Sequence, residues 1–251
     1  MPEERTESTL QLGKVDLFSV TVDERGDEGL RQDWALLDEH EQRLAARFVF
    51  AKDRNLYIIA HAMLRRSLSQ FVDVSPSDWC FEFGPQGRPE LSGTAHPQLS
   101  QLRFNLSHSH RIAVCAITST FDVGIDVEDS TRSAPLDVAD HFFSASEVAT
   151  LRSLPINCQA ERFFQYWTLK ESYIKARGLG LSLPLDQFAF ELSMNAPIGI
   201  SFGAKIADDP RDWCFQSWVF RQQYRVSLAV RNCGTVIEPR LTHSSFWKMI
   251  P

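Results

Sequence analysis

No thiol framework can anchor this chain: its five cysteines, Cys80, Cys115, Cys158, Cys214 and Cys233, are scattered and never spaced as a C-x-x-C pair. That pattern suits reduced, mostly buried thiols, and it supports neither a zinc site nor a disulfide scaffold. Long apolar runs are also missing, since none approaches the roughly 20 residues that span a bilayer, so no membrane partner is expected. The opening Met1-Pro2-Glu3-Glu4-Arg5 is acidic with no apolar segment behind it, which does not fit a secretory leader; a cytoplasmic protein is expected. Positive charge is not in excess. The formal net charge is −6, which argues against general binding to nucleic acid or anionic membrane. The two glycine-rich phosphate signatures, G-x-x-x-x-G-K and G-x-G-x-x-G, are absent.

What is present suits a soluble globular protein: 251 residues, 43% hydrophobic and 23% charged, enough for one large domain or two small ones. Val15 to Val22 reads as a strand, Asp38 to Phe48 as helical, and Lys52 to Phe71 as a clear helix with apolar positions at 3-4 spacing. Trp79 to Phe83 alternates like a half-buried strand and runs into the turn-rich Gly84 to Pro89. Two apolar runs, Leu102 to Leu106 and Ile112 to Thr118, lie on either side of Ser107-His108-Ser109-His110, and Phe121 to Glu128 alternates strictly. Ser144 and Glu147 fit a capping box that opens a helix, Glu161 to Arg177 reads as the next helix, and four alternating segments follow from Asp186 to Val230. No helix-length segment separates those four, which excludes a doubly wound parallel sheet. Each half runs strand, helices, strands. The expectation is an α+β protein of two similar subdomains, 1–119 and 120–251, each a small, mainly antiparallel sheet packed with helices.

Period-two spacing points Asp126 and Glu128 the same way from one strand, their Cα atoms roughly 6.5–7 Å apart. Two carboxylates facing together repel unless a cation lies between them or one is protonated. The surrounding Phe121, Val123 and Ile125 make the strand core-seeking, and Gly124 removes a side chain beside the acids. A divalent cation accounts for both features. The oxygen-only donors point to magnesium or manganese rather than zinc, and hence to a phosphate ester or anhydride as substrate. Helical spacing puts Glu171 and Lys175 on one face, a turn apart. His108, between serines, and Arg88, after Gly87, are candidate phosphate donors.

Four segments resemble the Sfp-type 4'-phosphopantetheinyl transferases: Gly87-Arg88-Pro89, Phe104-Asn105-Leu106-Ser107-His108-Ser109, Val123-Gly124-Ile125-Asp126-Val127-Glu128, and Trp167 through Leu181 with Ser182-Leu183-Pro184-Leu185. Together they span about 100 residues, and the specific element is G-I-D-V-E followed about 40 residues later by W-x-x-K-E-x-x-x-K. The resemblance implies the family's pseudo-twofold fold. It also implies Mg²⁺-dependent transfer (Mn²⁺ as a substitute) of the phosphopantetheine of coenzyme A to a serine of an acyl or peptidyl carrier protein, releasing adenosine 3',5'-bisphosphate. Such carriers serve fatty-acid, polyketide or non-ribosomal peptide synthesis, and relatives of this two-subdomain form are usually monomers.

Carried over by position, Asp126, Glu128 and Glu171 are the implied metal acids, with Glu171 also the base for the carrier serine and Lys175 the pyrophosphate contact. His108 would hold the 3'-phosphate with Ser107 and Asn105 beside it, while Arg88 and Gly87 would serve the adenine and phosphate end. Relatives commonly carry a basic residue four positions before Phe48. This chain has Leu44 there, so Arg47 or Arg43 is left to take that role. Lys170 belongs to the motif but turns away from Lys175. The subdomain 1–119 would thus contact coenzyme A and 120–251 would carry the acids. The competing reading is a metal-dependent hydrolase of a nucleotide-like diphosphate.

Overall fold

The structure is a computed structural model describing residues 14–84, 88–193, 196–231 and 238–241. Two compact units divide the chain at Thr120/Phe121. In the first, β1 (Lys14–Thr21) leads into α1 (Gly26–Trp34), α2 (Glu39–Ala45) and α3 (Ala51–Leu68), then the short pair β2 (Phe81–Phe83) and β3 (Pro89–Leu91), then the hairpin β4 (Arg103–Ser109) and β5 (Ile112–Thr118). In the second, β6 (Asp122–Asp129) leads into α4 (Ala139–Phe142), α5 (Ala145–Ser153) and α6 (Ile156–Arg177), the short pair β7 (Phe188–Glu191) and β8 (Gly199–Phe202), and the hairpin β9 (Trp213–Phe220) and β10 (Tyr224–Arg231). The mixed helix-and-sheet architecture is the one expected. Strand β11 (Glu238–Leu241) pairs in parallel with β1, so this segment belongs to the first unit. The expectation that everything from 120 to 251 forms the second subdomain is corrected there: a ladder of backbone hydrogen bonds holds the returning strand against β1.

The two units repeat one topology. The sheet orders are β11-β1-β5-β4 and β6-β10-β9, so each leading strand pairs antiparallel with the last strand of its hairpin. The register repeats as well: the fifth and seventh residues of β1, Phe18 and Val20, oppose Cys115 and Ala113, and the fifth and seventh of β6, Asp126 and Glu128, oppose Ser227 and Arg225. In the first unit this face is apolar. Phe18, Val20, Ala113 and Cys115 pack with Leu56, Ile59, Met63 and Leu64 of α3, each large apolar side chain adding about 1.5–3 kcal/mol. The second unit's core lies around α6, where Phe163, Leu169 and Tyr173 meet Phe188, Phe190, Trp213 and Phe215.

Several local signals read from sequence form as expected. Ser144 and Glu147 make the reciprocal capping box of α5. Helix α6 ends where Gly178 adopts the left-handed conformation, φ 65°. The helix starts at Ile156, behind Pro155, five positions before the expected Glu161, because a proline at the helix start lacks only an N–H that would have found no intrahelical acceptor anyway. Residues 107–109, expected to separate two strands, are part of β4, and the turn is reduced to His110 and Arg111, with His110 at φ 56°. Among the described residues no helix is long and apolar enough to cross a membrane.

Candidate active site

The site is built where α6 lies on β6. An added Cβ on Gly124 would stand 2.0 Å from the Ser172 carbonyl oxygen and 2.4 Å from the Ala176 nitrogen. Only glycine lets the helix backbone approach this closely. The sequence suggests that Gly124 clears room for the acids; its contacts show that it clears room for α6. The consequence is positional. Between those contact points α6 presents Lys175, whose Nζ donates to Asp126 Oδ1 at 2.6 Å. Asp126 is 5% exposed, so the strand delivers a carboxylate into a nearly closed environment and the helix supplies its counter-charge. Thr168, two turns before Lys175, meets the Ser227 hydroxyl at 2.7 Å, and Ser227 donates to Ser217 at 3.0 Å. A row of hydroxyls, buried at Thr168 and Ser227 and half-buried at Ser217, therefore lies beside Asp126.

Glu171 completes the acidic group. Burial, then the charge of Asp126, then that of Glu128 push its pKa up to about 7, with Lys175 opposing them. Asp126, Glu128, Glu171 and Lys175 therefore come together, as the sequence implied. Asp126 and Glu128 form an oxygen-only donor set on one strand face, with Glu171 supplied from the facing helix, and this chemistry suits a hard divalent cation. Among the described residues no set of three acidic, histidine or cysteine side chains stands converged as a ready metal cage. Lys175 instead holds the Asp126 oxygen.

Two ion pairs of the second unit, one on this face and one behind it, are not legible in the sequence. Arg225, 6% exposed, stands opposite Glu128 on β10 and reaches Glu161 Oε1 through Nη2 at 2.8 Å. Lys170 and Glu147 form a fully buried pair at 2.7 Å. Lys170 also donates to the carbonyls of Leu185 at 2.8 Å and Phe188 at 2.7 Å. The alternation Tyr224-Arg225-Val226-Ser227 was the available signal for the first; nothing in the motif revealed the partner of Lys170. Burial pulls the Lys170 pKa below its ordinary value while Glu147 opposes the shift. The turn of Lys170 away from Lys175 is as expected.

The first unit's candidates are less concentrated. On β4, Phe104 packs into the α3-facing core, so alternation turns His108 to that side and Asn105 and Ser107 to the other. His108 is exposed at the strand end, whereas Asn105 and Ser107 are both 5% exposed. Ser107 and His108 thus do not share a face. Arg88 is half-buried, its Nη2 donating to the Phe104 carbonyl at 3.4 Å. Arg47 is exposed in the connection between α2 and α3. Gly87 lies outside the described residues.

Comparison with known proteins gives two family matches: residues 122–229 match the 4'-phosphopantetheinyl transferase superfamily, and residues 26–120 match the 4'-phosphopantetheinyl transferase N-terminal family. The two spans meet where the two units divide. The chain is similar to the 4'-phosphopantetheinyl transferase HetI of Nostoc sp., 35% identical over 191 residues covering 75% of this chain and 78% of the relative. It is also similar to 4'-phosphopantetheinyl transferase Sfp of Bacillus subtilis, 31% identical over 166 residues covering 66% of this chain and 71% of the relative. Among solved structures, the holo-[acyl-carrier-protein] synthase of Thermotoga maritima matches 45% of this chain and 64% of its own at 23% identity and a TM-score of 0.36.

Proposed function

Because the chain belongs to the 4'-phosphopantetheinyl transferase superfamily, we propose that it moves the phosphopantetheine arm of coenzyme A onto a serine of an acyl or peptidyl carrier protein. The observation that carries this reading is the exchange of core for charge on the α6-facing side of the second unit. Asp126 and Glu128 occupy the strand positions that are Phe18 and Val20 in the first unit. A fold does not give up two buried apolar positions and bury a carboxylate there without a compensating role.

Asp126, Glu128 and Glu171 are assigned to hold Mg²⁺, with Mn²⁺ as a substitute. The bound cation would offset the charge that builds on the departing 3',5'-ADP. The chain's own residues do the rest. Glu171 takes the serine proton, directly or through a water. The serine oxygen forms its bond to the β-phosphorus as the bond from that phosphorus to the 3',5'-ADP oxygen breaks. Lys175 holds the pyrophosphate, and the near closure of Asp126 from water strengthens each charge contact. His108 is assigned to the 3'-phosphate, with Ser107 and Asn105 supporting β4, and Arg88, Gly87 and Arg47 to the phosphate and adenine end. Carrier docking is assigned to residues 129–143, where Arg132 is exposed and Phe142 is 39% exposed. A cytoplasmic monomer is the proposed working form.

The deciding experiment mixes the protein with apo carrier, coenzyme A and Mg²⁺. A carrier mass increase of one phosphopantetheine, lost with EDTA, is expected. Asp126→Ala should stay folded and give no product. Normal turnover by that variant would remove the metal assignment, and release of 4'-phosphopantetheine and 3',5'-ADP from coenzyme A without any carrier would replace transfer by hydrolysis.

A further inference from the structure

We infer that Lys175 is the resident counter-ion of Asp126, and that it yields this carboxylate to a divalent cation only when a diphosphate offers the ammonium another acceptor. Metal and coenzyme A would then bind this chain as a coupled pair. The inference rests on the assignment of Asp126 as a metal ligand.

Three observations lead there. Lys175 Nζ is 2.6 Å from Asp126 Oδ1, a charge-assisted contact at the short end of its range. A magnesium ion needs a carboxylate oxygen at about 2.0–2.1 Å, and whether it takes Oδ1 or Oδ2, the ammonium on the same carboxylate stands nearby as a second positive charge. The Asp126 side chain is 7% exposed and Lys175 is 27% exposed. The carboxylate therefore has little freedom to turn toward solvent and take a cation elsewhere, whereas the lysine has an open side. The third observation is that the helix is pinned. Ser172 and Ala176, on either side of Lys175, touch the backbone at Gly124, so withdrawing α6 to relieve the competition would break up the close packing of helix on strand. What can rearrange is the lysine side chain.

Charge then sets the order of events. A cation arriving alone must share a nearly buried carboxylate with an ammonium already bound to it, or push that ammonium aside and leave it close by. A cation arriving with a pyrophosphate brings negative oxygens that the ammonium can take in exchange. Two ligands that each relieve the other's cost bind with positive coupling, and couplings of this kind commonly run from about 5-fold to about 150-fold.

The test measures free Mn²⁺ by electron paramagnetic resonance in titrations of the full chain, with and without saturating coenzyme A. It compares wild type with Lys175→Met and with Lys175→Gln, which keeps a hydrogen-bond donor for Asp126 should the first variant fold poorly. The expected result is that both variants bind Mn²⁺ alone about tenfold more tightly than wild type. The strengthening by coenzyme A should shrink by the same factor, because affinity in the presence of coenzyme A hardly changes. If the variants tighten Mn²⁺ binding equally with and without coenzyme A, Lys175 acts only as a nearby charge and the exchange is overturned. Equal Mn²⁺ affinity in wild type and variants without coenzyme A overturns it as well. Should wild type fail to bind Mn²⁺ even with coenzyme A, or Asp126→Asn bind it as tightly as wild type, the metal assignment falls and the exchange with it.

Discussion

Gly124→Ala is the sharpest test of how the site is positioned. Its new methyl would lie 2.0 Å from Ser172 O and 2.4 Å from Ala176 N, both backbone atoms, against an ordinary contact of at least 3.4 Å, so α6 and β6 must separate by up to 3.4 − 2.0 = 1.4 Å. Overpacking usually costs about 1–3 kcal/mol, and the upper part of that range applies where backbone rather than a flexible side chain must yield. The functional loss should be larger than the stability loss suggests. Asp126 and Glu128 ride on the strand while Glu171 and Lys175 ride on the helix. A misplacement of about 1 Å between reacting partners can cost about 100-fold in rate. The Lys175–Asp126 contact at 2.6 Å would open beyond hydrogen-bond range. Urea denaturation reads the first effect. Carrier modification followed by mass spectrometry, at a temperature where both proteins are fully folded, reads the second. Gly93→Ala is the control, since nothing lies within 4 Å of the added methyl there. A Gly124→Ala protein with wild-type stability and wild-type turnover would show that the close contact neither holds α6 nor sets the acids.

Glu171 predicts a pH dependence in the metal-free protein. Its pKa is pushed up from 4.5 to about 7, chiefly by burial and then by Asp126 and Glu128. The folded chain therefore holds this proton more tightly than the unfolded chain, and the resulting stability is fully present below about pH 4.5 and lost as pH rises through about 7. The amount is of the order of 3 kcal/mol. In EDTA, urea midpoints of wild type should fall between pH 5 and pH 8 more steeply than those of Glu171→Gln, and parallel profiles would contradict the assignment. Lys170→Met should cost about 3–5 kcal/mol by leaving Glu147 charged in the core, and Glu147→Gln added to it should restore part of that loss; denaturation of the two variants, with no restoration by the second, would refute the pairing. His108→Ala should raise the KM for coenzyme A about tenfold or more while leaving the KM for dephospho-coenzyme A unchanged. An equal rise for both ligands would move His108 away from the 3'-phosphate.

Much of the second unit was legible because its signals are local. The period-two alternation from Val123 to Glu128 is a strand, and the spacing of Glu171 and Lys175 is a helix face; both survive in the structure. The capping box at Ser144 reads correctly for the same reason. What was missed depends on partners distant in sequence. Nothing in the residues around Lys170 indicates that Glu147, 23 positions earlier, will meet it at 2.7 Å. The returning strand Glu238–Leu241 acquires its meaning only from β1. Gly124 is half legible: its missing side chain is plain in the sequence, but the group that fills the space is the α6 backbone. On β4, Ser107 and His108 sit side by side in a motif, and the pleat that separates them is a property of the strand rather than of the motif.

The repeat between the units explains how the second one tolerates such a face. Where β1 and β5 give α3 an apolar bed of Phe18, Val20, Ala113 and Cys115, β6 and β10 give α6 Asp126, Glu128, Arg225 and Ser227. Losing two large buried side chains forfeits about 1.5–3 kcal/mol each, before the desolvation of a carboxylate is counted. The helix makes up for this on its other sides. Tyr173 packs edge-on to Trp213 at 4.8 Å and against Phe188 at 4.9 Å, and Lys170 draws in Glu147 and two carbonyl groups. Stability and the proposed chemistry thus lie on different faces of one helix, and substitutions should sort the same way. Changes at Asp126 or Lys175 should end transfer while leaving a cooperative unfolding transition, and changes at Tyr173 or Lys170 should lower that transition first and reduce transfer only as folded protein is lost. A Tyr173→Ala protein with intact stability but no activity, or an Asp126→Ala protein that no longer folds, would show that the two faces are not separable.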